Sequence, residues 1–312
     1  MTASKPWLSV IMPVHNGARD LPATLQSVAC QQTDGIEILI LDSSEDDSCA
    51  IIAADFADRL PLRYYQRRDV KPWPEKTNIG VGMARADHVA MLHQDDLWLP
   101  VHIATMRRAI DGMGEAVLHI AAALLVDDHG RRIGCWSPPL APGIHASSTM
   151  VERLLVQNFI AIPTPLIRRS AWIAVGGMEA DLWYTADWDL YLKLARHGPV
   201  SVGAHPTTAF RIHGRSLTMT GSRNADSLQE QLDIVLARHG DGALAATLRR
   251  ARASVSINCA LAGAAAGNAT GLGRAVATLL RLGPIELLYY LRDSRLVERL
   301  LPRIRLRLAG ML

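Results

Sequence analysis

Cysteine is scarce: Cys30, Cys49, Cys135 and Cys259 are the only four in 312 residues, with no CxxC pair and no zinc-finger spacing. A thiolate metal centre and a disulfide framework are thereby excluded, and reduced thiols of a cytosolic protein are expected. No stretch reaches the roughly 18 uncharged apolar residues of a membrane span. The first apolar run, Trp7 to Val14, contains Pro13 and reads as a strand, not as the core of a secretory leader. A net charge of +3 is too small to argue for nucleic acid. No GxGxxG follows the first apolar run, which removes a dinucleotide-binding dehydrogenase. The segment His15-Asn16-Gly17-Ala18-Arg19 holds one Gly and one Arg, too few for a nucleotidyl-transfer loop. No fixed-period repeat is present.

What is there supports a large core: 49% of the residues are hydrophobic. Leu8–Met12, Ile36–Leu41, Leu62–Tyr65 and Val89–Leu92 read as strands. They alternate with helical spacing at Leu21–Ala29, Ser48–Phe56 and Asn78–Ala84. Such βαβ units argue for a mainly parallel sheet covered on both faces. Asn16, Asp42 and Asp95, which follow three of these strands, then share one rim, the ligand-binding edge of an open α/β sheet. Beyond them lie a helix from Pro100 to Ile110 and strand-like runs within 116–136. Short helices at 151–157 and 170–175 flank an irregular Pro163-Thr164-Pro165 segment. An amphipathic helix, Trp188–Ala195, precedes an extended Val200–Ile212.

The adjacent carboxylates Asp95 and Asp96, at the end of the run from His88 to Leu92, suit a hard divalent cation, and such a cation suits a diphosphate. His93 and Asp95 are two apart and face one side of a strand, so both can reach one ion. Imidazole with carboxylate suits Mn²⁺ as well as Mg²⁺. The other reading of Asp95 and Asp96 is a helix cap before Pro100. His15 offers a flat ring to pack on a base, and Asp42 can accept hydrogen bonds from base or ribose; a packed surface histidine and a capping aspartate are the alternatives. Lys71 and Lys76 fall in an expected loop beside the nucleotide, as phosphate partners or as solvated lysines.

Four segments in order, Ser9-Val10-Ile11-Met12-Pro13-Val14-His15-Asn16, Glu37 to Asp47, Asn78-Ile79-Gly80 through Asp95-Asp96, and Ala186-Asp187-Trp188-Asp189-Leu190 followed by Arg211-Ile212-His213, resemble the family 2 glycosyltransferases. The resemblance covers roughly residues 6–222. It implies an α/β fold of the GT-A, Rossmann-like kind, with a mainly parallel central sheet, flanking helices and a C-terminal helical segment. The implied activity is a metal-dependent, inverting transfer from a nucleotide-diphosphate sugar to a hydroxyl of a glycan or lipid-linked acceptor. The implied nucleotide-sugar residues are Pro13, His15, Asn16, Asp42, Ser43, Lys76, Asn78 and Asp95. Asp95, Asp96 and His213 are the implied ligands of Mn²⁺ or Mg²⁺. Asp187 is the implied base, with Asp189 as the alternative; a carboxylate at a helix start is also a favourable cap. Trp183, Tyr184 and Trp188 surround that base, either to shape an acceptor pocket or as ordinary packing. Three positions depart from the family pattern: Ser43 and His93 replace aspartates, and Ala186 replaces glutamate. Uridine, thymidine and guanosine therefore all stay open, and a non-catalytic nucleotide-sugar binder is the rival reading.

The expected division is a 1–225 catalytic domain and a 226–312 helical extension. That extension holds 12 Arg against 7 Asp and Glu, with a break near 263–273. It reads either as a peripheral contact with the cytoplasmic membrane face or as helices packed on the domain or on a second copy.

Overall fold

The computed structural model describes residues 5–216 and 225–311. Four strands of the main sheet, β1 (Leu8–Val14), β2 (Ile36–Asp42), β3 (Leu62–Gln66) and β4 (His88–Met91), are mutually parallel. β10 (Leu166–Arg168) runs antiparallel between β4 and β6 (Leu118–Ile120). β11 (Val200–Val202) and β9 (Gly143–His145) complete the edge. The full order across these eight strands is β3-β2-β1-β4-β10-β6-β11-β9. A second sheet joins β5 (Leu97–Trp98), β12 (Thr208–Arg211), β7 (Ala123–Val126) and β8 (Arg132–Trp136).

Successive side chains of a strand point to opposite faces, and both faces of the parallel half are covered. Val10 and Met12 of β1, with Ile38 and Ile40 of β2, pack beneath α1 (Leu21–Ala29), α2 (Ser48–Asp55) and α4 (His102–Gly112). Ile11, Leu39 and Leu41 point the other way, toward α3 (Trp73–Met83), α5 (Ser147–Val156) and α7 (Ala186–His197). Gly80 lets α3 press close: a Cβ there would lie 2.5 Å from Ile11 Cγ2. One polar pair interrupts the apolar strands. Ser9 is the register partner of Glu37. The buried Glu37 carboxylate accepts from Ser9 Oγ (2.6 Å), Arg63 (2.6 Å) and the backbone and side chain of Arg85 (2.7 and 2.8 Å).

The helix expected at 78–84 begins five residues earlier, at Trp73. Pro74 stands in its first turn, where the missing N–H is no loss. The strand β10 follows Pro165 directly, in a stretch that reads as irregular. The extended 200–212 run divides between the two sheets.

After α6 (Arg169–Ala174) and α7 come α8 (Ala225–His239) and α9 (Ala245–Ala265). Leu228, Leu232, Val235 and Val255 of this pair enter the same core as α7. α10 (Gly271–Arg281), α11 (Pro284–Ser294) and α12 (Leu296–Leu308) follow. α12 lies against β8, where Gly134 leaves room for Pro302, and Leu306 packs with Leu125 and Ile212. No helix among the described residues is long and apolar enough to cross a membrane.

Candidate active site

Three parallel strands deliver their ends to one rim. Ser43 N donates to Val14 O (3.1 Å), and Asn16 N donates to Ser44 Oγ (2.7 Å), so the turns after β1 and β2 are joined. The β4 end is joined to them by a residue that sequence reasoning passed over. Gln94 Oε1 accepts from His15 N (2.8 Å) and Gln94 Nε2 donates to His15 O (3.0 Å), a two-bond clamp that mimics strand pairing. Gly17 permits it, since a Cβ there would meet Gln94 Oε1 at 2.6 Å. Asn16 sits at φ 50°, a conformation asparagine tolerates better than most residues. His15 and Asn16 are exposed on this rim, and the side chains of Pro13, Asp42 and Ser43 are buried beneath it.

Several expected ligand residues turn out to build the rim from within. Asp42 Oδ1 accepts from Ser44 N (2.8 Å) and Ser44 Oγ (2.5 Å), and Oδ2 accepts from Tyr64 OH (2.6 Å). Its carboxylate holds the turn and does not cap α2. Lys76 is a buried helix residue, not a loop lysine. Its Nζ donates to Val14 O (2.6 Å) and Ser43 Oγ (2.8 Å), and burial pulls its pKa down to about 8. Asn78 is spent on the loop after α6, donating to Met178 O (2.7 Å) and accepting from Met178 N (2.9 Å). Trp188 is also a core residue, with Nε1 donating to Leu154 O (2.7 Å).

The acidic pair divides its work. Asp95 Oδ2 lies 3.0 Å from His213 Nε2, across 118 positions of sequence. Burial raises the Asp95 pKa, but the His213 bond and the neighbouring His93 more than offset it, so the net direction is down. Asp96 instead points into the protein and accepts from Arg211 N (3.0 Å). Burial, beside the Asp95 charge, pushes its carboxyl well up. Asp96 therefore anchors β12 and does not join Asp95 and His213. Arg211 donates to Asp95 O (2.8 Å) and Asp128 O (3.0 Å), pinning the loop from behind.

No three His, Cys, Asp or Glu side chains among the described residues form a ready metal group. The Asp95–His213 spacing fits a site that is completed by substrate: two ligand atoms about 2.1 Å from one cation and at right angles lie about 3 Å apart. His93 lies near enough to Asp95 to interact with its charge, but its ring is turned to Trp73. It packs edge-on to Trp73, with ring centroids 5.1 Å apart, and burial lowers its pKa to about 4.

Trp73 ties this edge to the base candidate. Its Nε1 donates to Trp183 O (2.9 Å), and Trp183 packs on Tyr184 at 5.4 Å. Asp187 stands in the first turn of α7. Its Oδ1 accepts from Trp188 N (2.8 Å) and its Oδ2 from Asn158 Nδ2 (3.0 Å). Burial raises its pKa from 3.8 to about 6. Each oxygen keeps a lone pair, and the carboxylate is a stronger base than an exposed aspartate. Asp189 is eliminated as the alternative, because it is enclosed by Lys193 (2.9 Å), His239 (2.9 Å) and Arg238 (3.5 Å).

Residues 9–146 match the sequence profile of Glycosyl transferase family 2. A protein of Rickettsia prowazekii called an uncharacterized glycosyltransferase is 22% identical over 72% of this chain and 70% of its own length. The structure of S. aureus TarS 1–349 in complex with UDP-GlcNAc superposes with a TM-score of 0.58 at 14% identity, covering 87% of this chain and 88% of that one. A mannosyltransferase from Pyrobaculum calidifontis, in complex with GDP-Man and Mn²⁺, superposes at 0.54 with 17% identity over 97% and 87%. The four ordered motifs and the profile match relate residues 9–146 to glycosyltransferase family 2, and the sheet with these structural likenesses gives the chain the GT-A fold.

Proposed function

We propose that this chain transfers a sugar from a nucleotide-diphosphate donor to a hydroxyl of a glycan or lipid-linked acceptor, with inversion at the anomeric carbon. The half-buried, doubly hydrogen-bonded Asp187 carboxylate carries the reading, because an alcohol is a poor nucleophile until a positioned base takes its proton. The acceptor oxygen forms a bond to the anomeric carbon as the bond to the diphosphate oxygen breaks. Its proton passes to Asp187, and Asn158 and the Trp188 amide keep that carboxylate aimed. His15 and Asn16 face the nucleotide, and Trp183 and Tyr184 offer aromatic faces to the acceptor sugar. Asp95 and His213 are the residues that would hold a divalent cation, which supplies charge neutralisation to the departing diphosphate. The complexes of the two structural relatives, one with UDP-GlcNAc and one with GDP-Man and Mn²⁺, support a donor of this class.

A peripheral membrane contact is part of the same reading. Among the described residues, ten of the fifteen exposed large apolar side chains fall within 271–308, including Leu280, Leu288, Leu301 and Leu308. The exposed charged side chains of that segment are all arginines.

Melting curves with UDP, GDP and TDP, with and without Mn²⁺, test the donor site. One diphosphate at 100 times its Kd adds about 2.7 kcal/mol of stability, in the presence of Mn²⁺ and not in the Asp95→Asn protein. No response to any of the three refutes the donor assignment. An unchanged Mn²⁺ dependence in the Asp95→Asn protein refutes the metal assignment.

A further inference from the structure

In the C-terminal segment Arg274, Arg281, Arg305 and Arg307 are exposed to solvent, and other arginines meet a carboxylate. Arg250 meets Glu286, Arg292 meets Asp293 and Arg295 meets Glu298. Arg299 and Arg303 of α12 do neither. At about 100° per residue they lie about 40° apart on one side of the helix, while the exposed Val297, Leu301, Ile304 and Leu308 lie about 100–180° from them. The arginine side is also the side of Leu296, Pro302 and Leu306, which are buried. Two guanidinium groups therefore sit on the packed face of an amphipathic helix, where apolar residues are the rule.

Their partners are neutral. Arg299 donates to Asn258 Oδ1 (3.0 Å) and Ser294 O (3.5 Å), and Arg303 donates to Arg299 O (2.6 Å). Neither forms an ion pair with a described residue. Burial holds both below the usual arginine value, Arg303 at about 10. Two like charges withdrawn from water without a counter-ion are unfavourable, and a planar guanidinium pair matches the oxygens of a phosphate.

Their position is on the Tyr184 side of the site. Burial pushes the Tyr184 hydroxyl up, the Arg299 and Arg303 charges oppose that, and the Asp187 charge adds to it. A polar relay makes the second link. Arg299 donates to Asn258, Asn258 donates to Gln157 Oε1 (2.9 Å), and the neighbouring Asn158 donates to Asp187. The nucleotide rim, by contrast, is built from β1, β2 and β4.

We propose that Arg299 and Arg303 bind a phosphate ester carried by the acceptor, next to the hydroxyl that Asp187 deprotonates. The inference rests on the acceptor side of the site being where Asp187 and Tyr184 stand. It adds a substrate class: an acceptor that is already phosphorylated, whether water-soluble or on an alkyl chain.

Calorimetric titration of the full chain, saturated with Mn²⁺ and its nucleoside diphosphate, tests this with two probes, glycerol 3-phosphate and decyl phosphate. Binding of either is expected, and tighter binding of decyl phosphate identifies a lipid-borne source. Arg299→Gln with Arg303→Gln should weaken the probe at least tenfold and leave the nucleoside diphosphate affinity unchanged. If that protein does not fold, the Arg299→Lys, Arg303→Lys pair carries the test. It keeps charge but loses the planar fork, and should weaken the probe severalfold. No binding by the wild-type chain, equal binding by the variants, or displacement of the probe by nucleoside diphosphate overturns the proposal. The last result assigns the arginines to the donor's diphosphate. Failure of the wild-type chain to bind any nucleoside diphosphate is a separate outcome, which sinks the donor site and not the arginine site.

Discussion

Replacing Asp187 by Asn separates the chemistry of the site from its effect on stability. Burial lifts this carboxyl from 3.8 to about 6. A shift of that size corresponds to about 3 kcal/mol between the protonated and ionised forms. The folded pKa lies above the unfolded one, so folding favours the proton-bound form. The contribution is fully present below about pH 4 and is lost as pH rises through about 6. The wild-type chain thus loses about 3 kcal/mol from this group between pH 4 and pH 7.5, and the substituted amide, which does not titrate, loses none. Asn keeps the shape, but one of the two donors, Asn158 Nδ2 or Trp188 N, then faces an NH₂ group. That mismatch costs about 1–3 kcal/mol at every pH. The absolute stability of the variant therefore matters less than its trend. Urea unfolding at the two pH values should move the variant-minus-wild-type difference by about 3 kcal/mol in the variant's favour. Transfer should fall by about 10²–10⁴-fold in the variant, and wild-type turnover should decline below about pH 6. A difference that does not change with pH refutes the buried-carboxylate argument. Undiminished turnover removes Asp187 from the base role.

Three further perturbations follow from the packing. Gly80→Ala puts a methyl group 2.5 Å from Ile11 Cγ2 and 3.0 Å from Leu41 Cδ1; calorimetry should show a loss of about 1–3 kcal/mol. Gln94→Ala removes both bonds to His15 and should leave the melting temperature within a few degrees. Nucleoside diphosphate binding should drop about tenfold, roughly the worth of one lost hydrogen bond; an unaltered Kd shows that the clamp does not shape the rim. Leu280→Glu with Leu308→Glu should abolish co-sedimentation with anionic vesicles at low salt, and equal recovery of wild type and variant in the pellet ends the membrane reading.

The layered α/β core could be read from the chain because its signals are local. Leu8–Met12 and Ile36–Leu41 are apolar runs broken only by Ser9 and Glu37 and bounded by Pro13 and Asp42, and Leu21, Leu25 and Val28 keep helical spacing. The start of α3 was hidden by Pro72 and Pro74, which punctuate loops as often as they open helices. β10 was hidden because three residues carry no period. The meeting of Asp95 with His213 was reachable only through resemblance, since nothing local links residues 118 positions apart. Gln94 and Trp73 left no signal at all. Their roles depend on which backbone and which ring lie opposite, and that is set by tertiary packing. The tail arginines looked alike in sequence; only the inward face of α12 distinguishes Arg299 and Arg303 from their solvated neighbours.

The Ser9–Glu37 pair solves an alignment problem that hydrophobicity leaves open. β1 and β2 are greasy on both faces, so sliding one along the other by two residues would bury nearly the same oil and keep every side chain on its own face. The slide would take the Ser9 hydroxyl away from the buried Glu37 carboxylate, which keeps Arg63, at a loss of about 1–3 kcal/mol. It would also drag the far end of β1, where Val14 faces Asp42, about 7 Å out of step with the turn that seats Asn16. A polar lock at one end of these strands thus guards the shape of the proposed nucleotide edge at the other, and variants that break it should misalign a site they never touch.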